Sequence, residues 1–168
     1  MKTQKSLFLL AILAILLSAC NSGSVKVYDS VDAMVKEAKA NSELIKVKGL
    51  KSVIDHDHDF IIVDCREADV YVEGHIPGSV NIPRGLLEFS SKISNRREAV
   101  YIYCNDSQKS VLAAESLVKL KYQTVKVVDG GWEKWIEAYP ELSEEGTGGV
   151  STEEVVKPAE SGGCGGWF

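Results

Sequence analysis

Apolar residues follow two different spacings along this chain, and the two spacings alternate. Short runs that are mainly apolar at residues 60–64, 80–83, 100–103 and 125–128 predict strands, and the continuous apolar run that ends in Asp64 is typical of a strand buried on both faces. The segments around them show helical spacing: residues 30–40, 50–54, 68–73, 86–93, 110–120 and 132–137. Strands that alternate with helices through short loops predict an α/β fold, with a parallel sheet covered by helices on both faces.

In a parallel sheet of this kind, ligands bind beyond the carboxyl ends of the strands. Asp64 ends one predicted strand, and Cys104 and Gly130 each follow another, so we expect the three to meet at one edge. Cys104 also precedes a predicted helix, where backbone N–H groups and the helix dipole favour an anion. Such surroundings lower a cysteine pKa to roughly 3.5–7.5. Cys104 is therefore the predicted nucleophile.

The first twenty residues predict export and lipid attachment. Lys2 and Lys5 precede an apolar stretch at residues 7–17, which is shorter than the ~20 residues of a membrane-spanning helix. Leu-Ser-Ala-Cys at residues 17–20 resembles the bacterial lipobox, in which the cysteine is acylated. We expect a signal peptide at residues 1–19 and a lipid on Cys20 that anchors an extracytoplasmic protein in the cell envelope. An ordinary secretory signal is the alternative.

Charge and length limit the partners and the number of domains. Removal of residues 1–19 takes away two lysines and no acid, which changes the net charge from −5 to −7. Such an acidic surface argues against nucleic acid as a partner. The remaining length suits one core and a monomer. We expect a tether and N-terminal helix at 20–43, a domain at 44–141 and a flexible tail rich in glycine and acids at 142–168.

With Cys20 acylated, the chain retains an odd number of cysteines, so at least one thiol is expected to stay free. Cys65 follows a buried strand and is interpreted as a small apolar packing residue, with a disulfide to Cys104 as the alternative. Cys164 lies in the tail about 24 residues after Pro140, a length that spans roughly 25–30 Å. It is therefore either a resolving thiol or sulfur acceptor for Cys104, or a thiol with no such role.

Four motifs in order resemble the rhodanese domain, a family of sulfurtransferases and persulfide carriers. They are Val63-Asp64-Cys65-Arg66-Glu67, Gly74-His75-Ile76-Pro77-Gly78, Cys104 with the six residues after it, and Gly130-Gly131-Trp132. The likeness covers roughly residues 45–140. It implies a rhodanese-like fold with a five-stranded parallel sheet. It also implies that Cys104 carries sulfur as a persulfide, without a metal or an organic cofactor.

The resemblance also assigns roles around Cys104. N–H groups of the following loop would hold the persulfide anion, as an oxyanion hole holds an oxyanion. This predicted substrate-binding loop consists of Asn105, Asp106, Ser107, Gln108, Lys109 and Ser110. Asp64, Arg66 and His75 are interpreted as supporting residues. The alternatives are that Asp64 and Arg66 orient the loop and that His75 is a general base.

Loop length and loop composition refine the predicted substrate. Phosphatases and arsenate reductases with similar loops place five residues between cysteine and arginine, whereas here Lys109 follows after four and Ser110 comes next. The shorter spacing favours sulfur over phosphate. Ser107 stands where the family often has glycine, and Lys109 where it often has arginine. Lysine lacks the two-pronged contact of arginine with an oxyanion, and Asp106 adds a negative charge. We therefore expect weak use of thiosulfate and another sulfur donor.

Residues 55–59, Asp-His-Asp-His-Asp, have the composition of a metal site, but aspartates also suit a turn, and no metal is predicted. The predicted function is that of an extracytoplasmic, lipid-anchored sulfurtransferase with a small sulfur donor and a thiol acceptor. Two alternatives stay open. One is a thiol redox protein that acts on small chalcogen oxyanions with Cys104 and Cys164, and the other is a catalytically weak binding module.

Overall fold

The computed structural model describes residues 26–56 and 59–146. Its centre is a five-stranded sheet in the order β1-β5-β4-β2-β3, and all pairs are parallel. The strands are β1 (Glu43–Lys46), β2 (Phe60–Asp64), β3 (Ser79–Asn81), β4 (Ala99–Tyr103) and β5 (Thr124–Asp129). The predicted α/β class and the five-stranded parallel sheet are confirmed.

Helices cover both faces of the sheet. They are α1 (Val31–Asn41), α2 (Val47–His56), α3 (Ala68–Glu73), a 3-10 helix (Arg84–Phe89), α4 (Gln108–Lys119) and α5 (Gly131–Ala138). Successive strand residues point to opposite faces, so β4 sends Ile102 into a core shared with α1 and α4. Its neighbour Tyr103 enters a second core, which contains Leu50 of α2 and Trp135 of α5. The central strands are thus buried on both faces, which explains their continuous apolar runs.

Strand β1 is not predicted by the apolar pattern. It is an edge strand that pairs only with β5, with Glu43 opposite Lys126. Three of its four residues are exposed, so burial does not impose an apolar run. The hydrogen bonds of the sheet edge, which leave no periodic signal in the sequence, define this strand.

Three predicted helices have different bounds in the structure. Helix α2 is longer than the predicted 50–54. The segment predicted as a helix at 86–93 is a 3-10 helix that ends at Phe89. Helix α4 begins at Gln108, before the predicted start at residue 110. The loop after Cys104 therefore contains only three residues, and Gln108, Lys109 and Ser110 belong to the first turn of α4.

The predicted flexible tail begins at residue 142, but residues 142–146 pack on the domain. The Leu142 carbonyl accepts a hydrogen bond from the Trp135 indole at 2.7 Å. Glu144 pairs with His75 as an isolated antiparallel bridge. These contacts fix the segment after α5, so the predicted boundary is too early.

Several predictions concern residues outside the described ranges. Cys20, the signal peptide at 1–19, Cys164 and residues 147–168 are among them, and their roles stay predictions. Within residues 26–56 and 59–146, no helix has the length and apolarity needed to cross a membrane.

Candidate active site

The carboxyl ends of β2, β4 and β5 lie at the same edge of the sheet, because the three strands are parallel and adjacent. Cys104 directly follows β4, Gly130 directly follows β5, and Asp64 ends β2. The structure thus brings together the three strand ends that the sequence pattern selected.

The loop after Cys104 is oriented by the first turn of α5. The N–H groups of Trp132 and Glu133 donate hydrogen bonds to the carbonyls of Cys104 and Asn105, at 2.8 and 3.1 Å. In a planar trans peptide, the N–H points away from the carbonyl. The Asn105 N–H is therefore directed away from α5, and it donates a hydrogen bond to the Cys104 sulfur.

This close approach requires glycine at position 131. Gly131 has φ +58°, in the left-handed region, and a Cβ atom there would lie 2.3 Å from the Cys104 carbonyl oxygen. Such a contact would push the α5 turn away from the loop. Steric contact with the Cys104 carbonyl therefore explains why the second position of the motif Gly130-Gly131-Trp132 is glycine.

We expect Gly131→Ala to displace the loop and slow the reaction of Cys104 with a small alkylating reagent. Its stability should fall by more than the ~1–2 kcal/mol of left-handed strain alone, because the clash adds to it. Gly78→Ala is the matched control, since Gly78 has φ +73° but a Cβ atom there would meet no heavy atom within 4 Å. Urea unfolding and alkylation rates measure both effects. Equal losses in the two variants would contradict the steric argument.

The remaining loop side chains mainly hold the loop in place. The Ser107 hydroxyl accepts the Gly130 N–H at 2.8 Å, which ties the loop to the end of β5. The Asp106 carboxylate accepts the Gln108 N–H at 2.8 Å, and the Ser110 hydroxyl donates to the Ser107 carbonyl at 3.2 Å. Serine in place of the common glycine at position 107 therefore adds an anchor.

The Cys104 thiol ionises more easily than an ordinary cysteine. A hydrogen bond from the Cys65 thiol is the largest cause that lowers its pKa, to about 7, and the Asn105 N–H and the charge of Lys109 contribute. Burial and the negative charge of Asp64 oppose the shift. The Cys104 residue is only 4% exposed, so a reagent must be small or narrow to reach the sulfur.

Cys65 is a neighbour of Cys104 at the end of the adjacent strand, as the alternative sequence interpretation of a Cys65–Cys104 disulfide requires. The interpretation as a packing residue agrees with its exposure of 1%, but its side chain also lies in the same core cluster as Cys104. The hydrogen bond to Cys104, together with burial, raises the Cys65 pKa well above its usual value, so Cys65 is the protonated donor. Both thiols are free. Each cysteine directly follows one of two paired strands. A prediction that β2 and β4 pair with Asp64 opposite Tyr103 would have placed the two cysteines side by side.

Asp64 and Arg66 form a buried ion pair beside the loop. Arg66 Nε and Nη2 donate to Asp64 Oδ2 at 2.9 and 2.6 Å, and Nη2 also donates to the Gly74 carbonyl at 2.7 Å. The guanidinium lies 4.8 Å from the centre of the Trp132 ring, in a cation–π contact. The pair thus joins three of the four motifs and supports the site structurally.

Asn81, at the end of β3, also holds this region, and sequence reasoning gave it no role. Its side-chain amide donates to the carbonyls of Asp64 and Arg66, at 3.2 and 2.9 Å. These bonds fix the backbone on both sides of Cys65. An asparagine inside the predicted strand at 80–83 is the only signal that the sequence offers for this role.

His75 is buried in the turn that precedes β3. Its ring stacks on Tyr71 with centroids 3.7 Å apart, and Nδ1 lies 3.0 Å from the Tyr71 carbonyl. On the other side, Nε2 lies 3.7 Å from the Glu144 carboxylate. These contacts are those of a scaffold residue.

In the part of the chain that the structure describes, no group of three or more His, Cys, Asp or Glu side chains could hold a metal ion. In the acidic and histidine-rich segment, His56 Nδ1 lies 2.9 Å from the Ser52 carbonyl, within its own helix. Residues 57 and 58 lie outside the described ranges.

The rhodanese-like domain family matches residues 34–138, more than half of the chain, and the chain belongs to this family. The chain is 33% identical over 91 residues to the Bacillus subtilis protein named "Putative sulfur carrier protein YrkF". This match covers 54% of the chain and 49% of YrkF, so the chain spans about half the length of that relative. The resemblance that the four motifs predicted is confirmed.

Two further comparisons agree on the fold. The chain is 28% identical over 103 residues to a Schizosaccharomyces pombe protein named "Putative thiosulfate sulfurtransferase, mitochondrial", which covers 54% of this chain and 72% of that one. The structure of a Rhodopseudomonas palustris protein described as a "Possible Tyrosine Phosphatase" superposes with a TM-score of 0.59 at 25% identity, covering 68% of this chain and 94% of that one. The names of the two curated relatives refer to sulfur handling, in a sulfur carrier and in a sulfurtransferase.

Proposed function

We propose that Cys104 carries sulfane sulfur as a persulfide between a small sulfur donor and a thiol acceptor. The observation that carries this proposal is the position of Cys104 at the carboxyl end of β4, just before the first turn of α4, and the lowered pKa of its thiol, about 7, supports it. The thiolate attacks the sulfane sulfur of the donor, whose remainder leaves with the electron pair of the broken bond. An acceptor thiolate then takes the outer sulfur, and the Cys104 thiolate is restored. The cysteine itself holds the transferred group, as in other covalent catalysis.

The donor we propose is an inorganic or organic polysulfide rather than thiosulfate. The narrow access to Cys104 admits a linear chain of sulfur atoms more easily than the tetrahedral oxyanion end of thiosulfate, and Lys109 lacks the two-pronged contact that arginine makes with such an oxyanion. Steady-state transfer to a dithiol should therefore be faster from polysulfide than from thiosulfate at equal concentration. Vigorous turnover with thiosulfate would overturn this choice of donor.

The reactivity of Cys104 should follow the ionisation of its thiol. Because only the thiolate attacks, the rate of alkylation by uncharged iodoacetamide should rise from pH 6 and level off above pH 8, with a midpoint at about 7. The full chain with Cys20→Ser and Cys164→Ser suits this measurement, since it leaves only Cys65 and Cys104. A midpoint near the ordinary value of 9.0 would contradict the proposed thiolate.

Phosphate-ester hydrolysis is the activity suggested by the description of the Rhodopseudomonas palustris protein as a possible tyrosine phosphatase. This chain supports it less well, because only three residues separate Cys104 from α4 and the sulfur is nearly enclosed. We expect no turnover of p-nitrophenyl phosphate. Turnover that disappears in Cys104→Ser would make hydrolysis the better assignment.

We further propose that Cys20 is acylated, so that the domain works in the cell envelope on the extracytoplasmic side. The support is the Leu-Ser-Ala-Cys order behind a charged and then apolar leader. Metabolic labelling with a fatty acid in a bacterial host should mark the full chain and not Cys20→Ser. Equal labelling of both chains would refute the anchor.

A further inference from the structure

Cys65 and Cys104 occupy equivalent positions at the ends of two paired strands. Strands β2 and β4 are parallel neighbours with Asp64 opposite Tyr103, and each cysteine is the next residue. The Cys65 N–H donates a hydrogen bond to the Tyr103 carbonyl at 2.8 Å, so the two backbone segments stay side by side beyond the last paired residues of β2 and β4. Neighbouring strands lie about 4.8 Å apart. That separation falls within the ~4.4–6.8 Å Cα distance of a disulfide.

The two side chains also point to the same face of the sheet. Val63 and Cys65 alternate with Asp64 along β2, and Ile102 and Cys104 alternate with Tyr103 along β4. All four belong to one core cluster. The two thiols therefore lie side by side in this cluster, and their interaction lowers the pKa of Cys104 and raises the pKa of Cys65.

Cys65 is less accessible to reagents from solvent than Cys104, which is 4% exposed. Cys65 is 1% exposed, and the Asn81 amide fixes the backbone on both sides of it. The reaction partner that this arrangement offers to Cys65 is therefore the sulfur of Cys104. A packing role alone would be met by alanine or valine and does not require a second thiol beside the nucleophile.

We propose that Cys65 resolves the Cys104 persulfide by attack on the inner sulfur, which releases hydrosulfide and forms a Cys65–Cys104 disulfide. This inference rests on the proposed persulfide on Cys104 and defines a further product of the same site. The outer sulfur of the persulfide anion first takes the Cys65 proton, and the resulting Cys65 thiolate attacks the inner sulfur. The S–S bond of the persulfide then breaks, and the outer sulfur leaves with its electron pair as HS⁻. The outer sulfur is reduced, the Cys65 sulfur is oxidised, and the new disulfide joins Cys65 to Cys104.

An external dithiol restores the two thiols by thiol–disulfide exchange and is itself oxidised to a disulfide. Hydrosulfide has a single heavy atom, which suits departure from a sulfur that is only 4% exposed. In the absence of an acceptor thiol, the protein thus releases the carried sulfur as hydrosulfide, and the disulfide blocks the Cys104 nucleophile.

The test follows the decay of a loaded persulfide in the full chain with Cys20→Ser and Cys164→Ser. The protein is loaded with inorganic polysulfide, desalted and kept without any acceptor thiol. We expect one equivalent of hydrosulfide per adduct, a final mass about 2 Da below that of the dithiol form, and a mapped Cys65–Cys104 disulfide. Cys65→Ser in the same background keeps a hydrogen-bond donor but should lose both the hydrosulfide release and the disulfide. Thermal unfolding of this variant and of Cys65→Ala checks that each is folded.

The outcomes separate this inference from the proposed function. An adduct on Cys104 that persists equally with and without Cys65 would overturn the resolving role and leave persulfide transfer intact. No adduct on Cys104 in any chain would overturn both. Diamide, an oxidant of dithiols, tests the geometry alone, since failure to form the Cys65–Cys104 disulfide in the folded protein would overturn the inference without reference to persulfide.

Discussion

Replacement of Cys104 by serine is expected to lower sulfur transfer from polysulfide to a dithiol by at least about 10³-fold, as loss of a catalytic nucleophile does in other enzymes. A serine hydroxyl stays protonated near neutral pH and forms no persulfide. The side chain has nearly the same size, so we expect the fold to persist in Cys104→Ser. Steady-state transfer, with thermal unfolding as a check on the fold, measures the effect.

Cys164→Ser is the companion to this variant, because Cys164 is the predicted resolving thiol or acceptor in the tail. If Cys104 carries the sulfur, this substitution leaves loading of Cys104 unchanged. Slower turnover with normal loading would support a role of Cys164 in removing the sulfur. Transfer that survives in Cys104→Ser and disappears in Cys164→Ser would place the nucleophile in the tail.

Replacement of Arg66 by methionine is expected to destabilise the domain by about 3–5 kcal/mol, the range measured when one partner of a buried ion pair is removed. Asp64 is fully buried, and it would lose its hydrogen bonds from Arg66 Nε and Nη2. The Gly74 carbonyl would lose its donor as well. Urea unfolding at neutral pH gives the change in the free energy of unfolding.

Arg84→Met is the matched control for this loss. Arg84 pairs with Glu88 at 2.8 Å, but both side chains are about 30% exposed to solvent. In Arg84→Met, water can therefore replace much of the lost interaction with Glu88. We expect a change of about 1 kcal/mol or less, as for other surface pairs. A loss in Arg66→Met no greater than in Arg84→Met would show that the buried pair does not hold the motifs together as described.

The sequence alone was sufficient for the strands that are buried on both faces, because burial imposes a continuous apolar run such as Phe60–Asp64. It was not sufficient for β1, whose exposed residues carry no such pattern. The early start of α4 at Gln108 was missed for a related reason. The Asp106 carboxylate accepts the Gln108 N–H, and such a local side-chain contact is not visible in an apolar period.

At the site, the position of Cys104 between a predicted strand and a predicted helix was enough to identify it as the nucleophile. The residues that surround Cys104 in space depend on how the strands of the sheet pair, which the sequence pattern does not show. Cys65 and Cys104 are 39 positions apart in the sequence. They are neighbours on paired strands because Asp64 lies opposite Tyr103. The steric need for Gly131 likewise depends on the carbonyl of Cys104, which approaches it only in the folded chain.

Peptide mass mapping after brief exposure to polysulfide tests the central claim most directly. The full chain is loaded, quenched with acid before the persulfide decays, alkylated and digested. The account predicts a gain of about 32 Da, one sulfur atom, on the peptide that contains Cys104, and no such gain at that position in Cys104→Ser. Sulfur found on Cys65, Cys20 or Cys164 while Cys104 remains an unmodified thiol would contradict it.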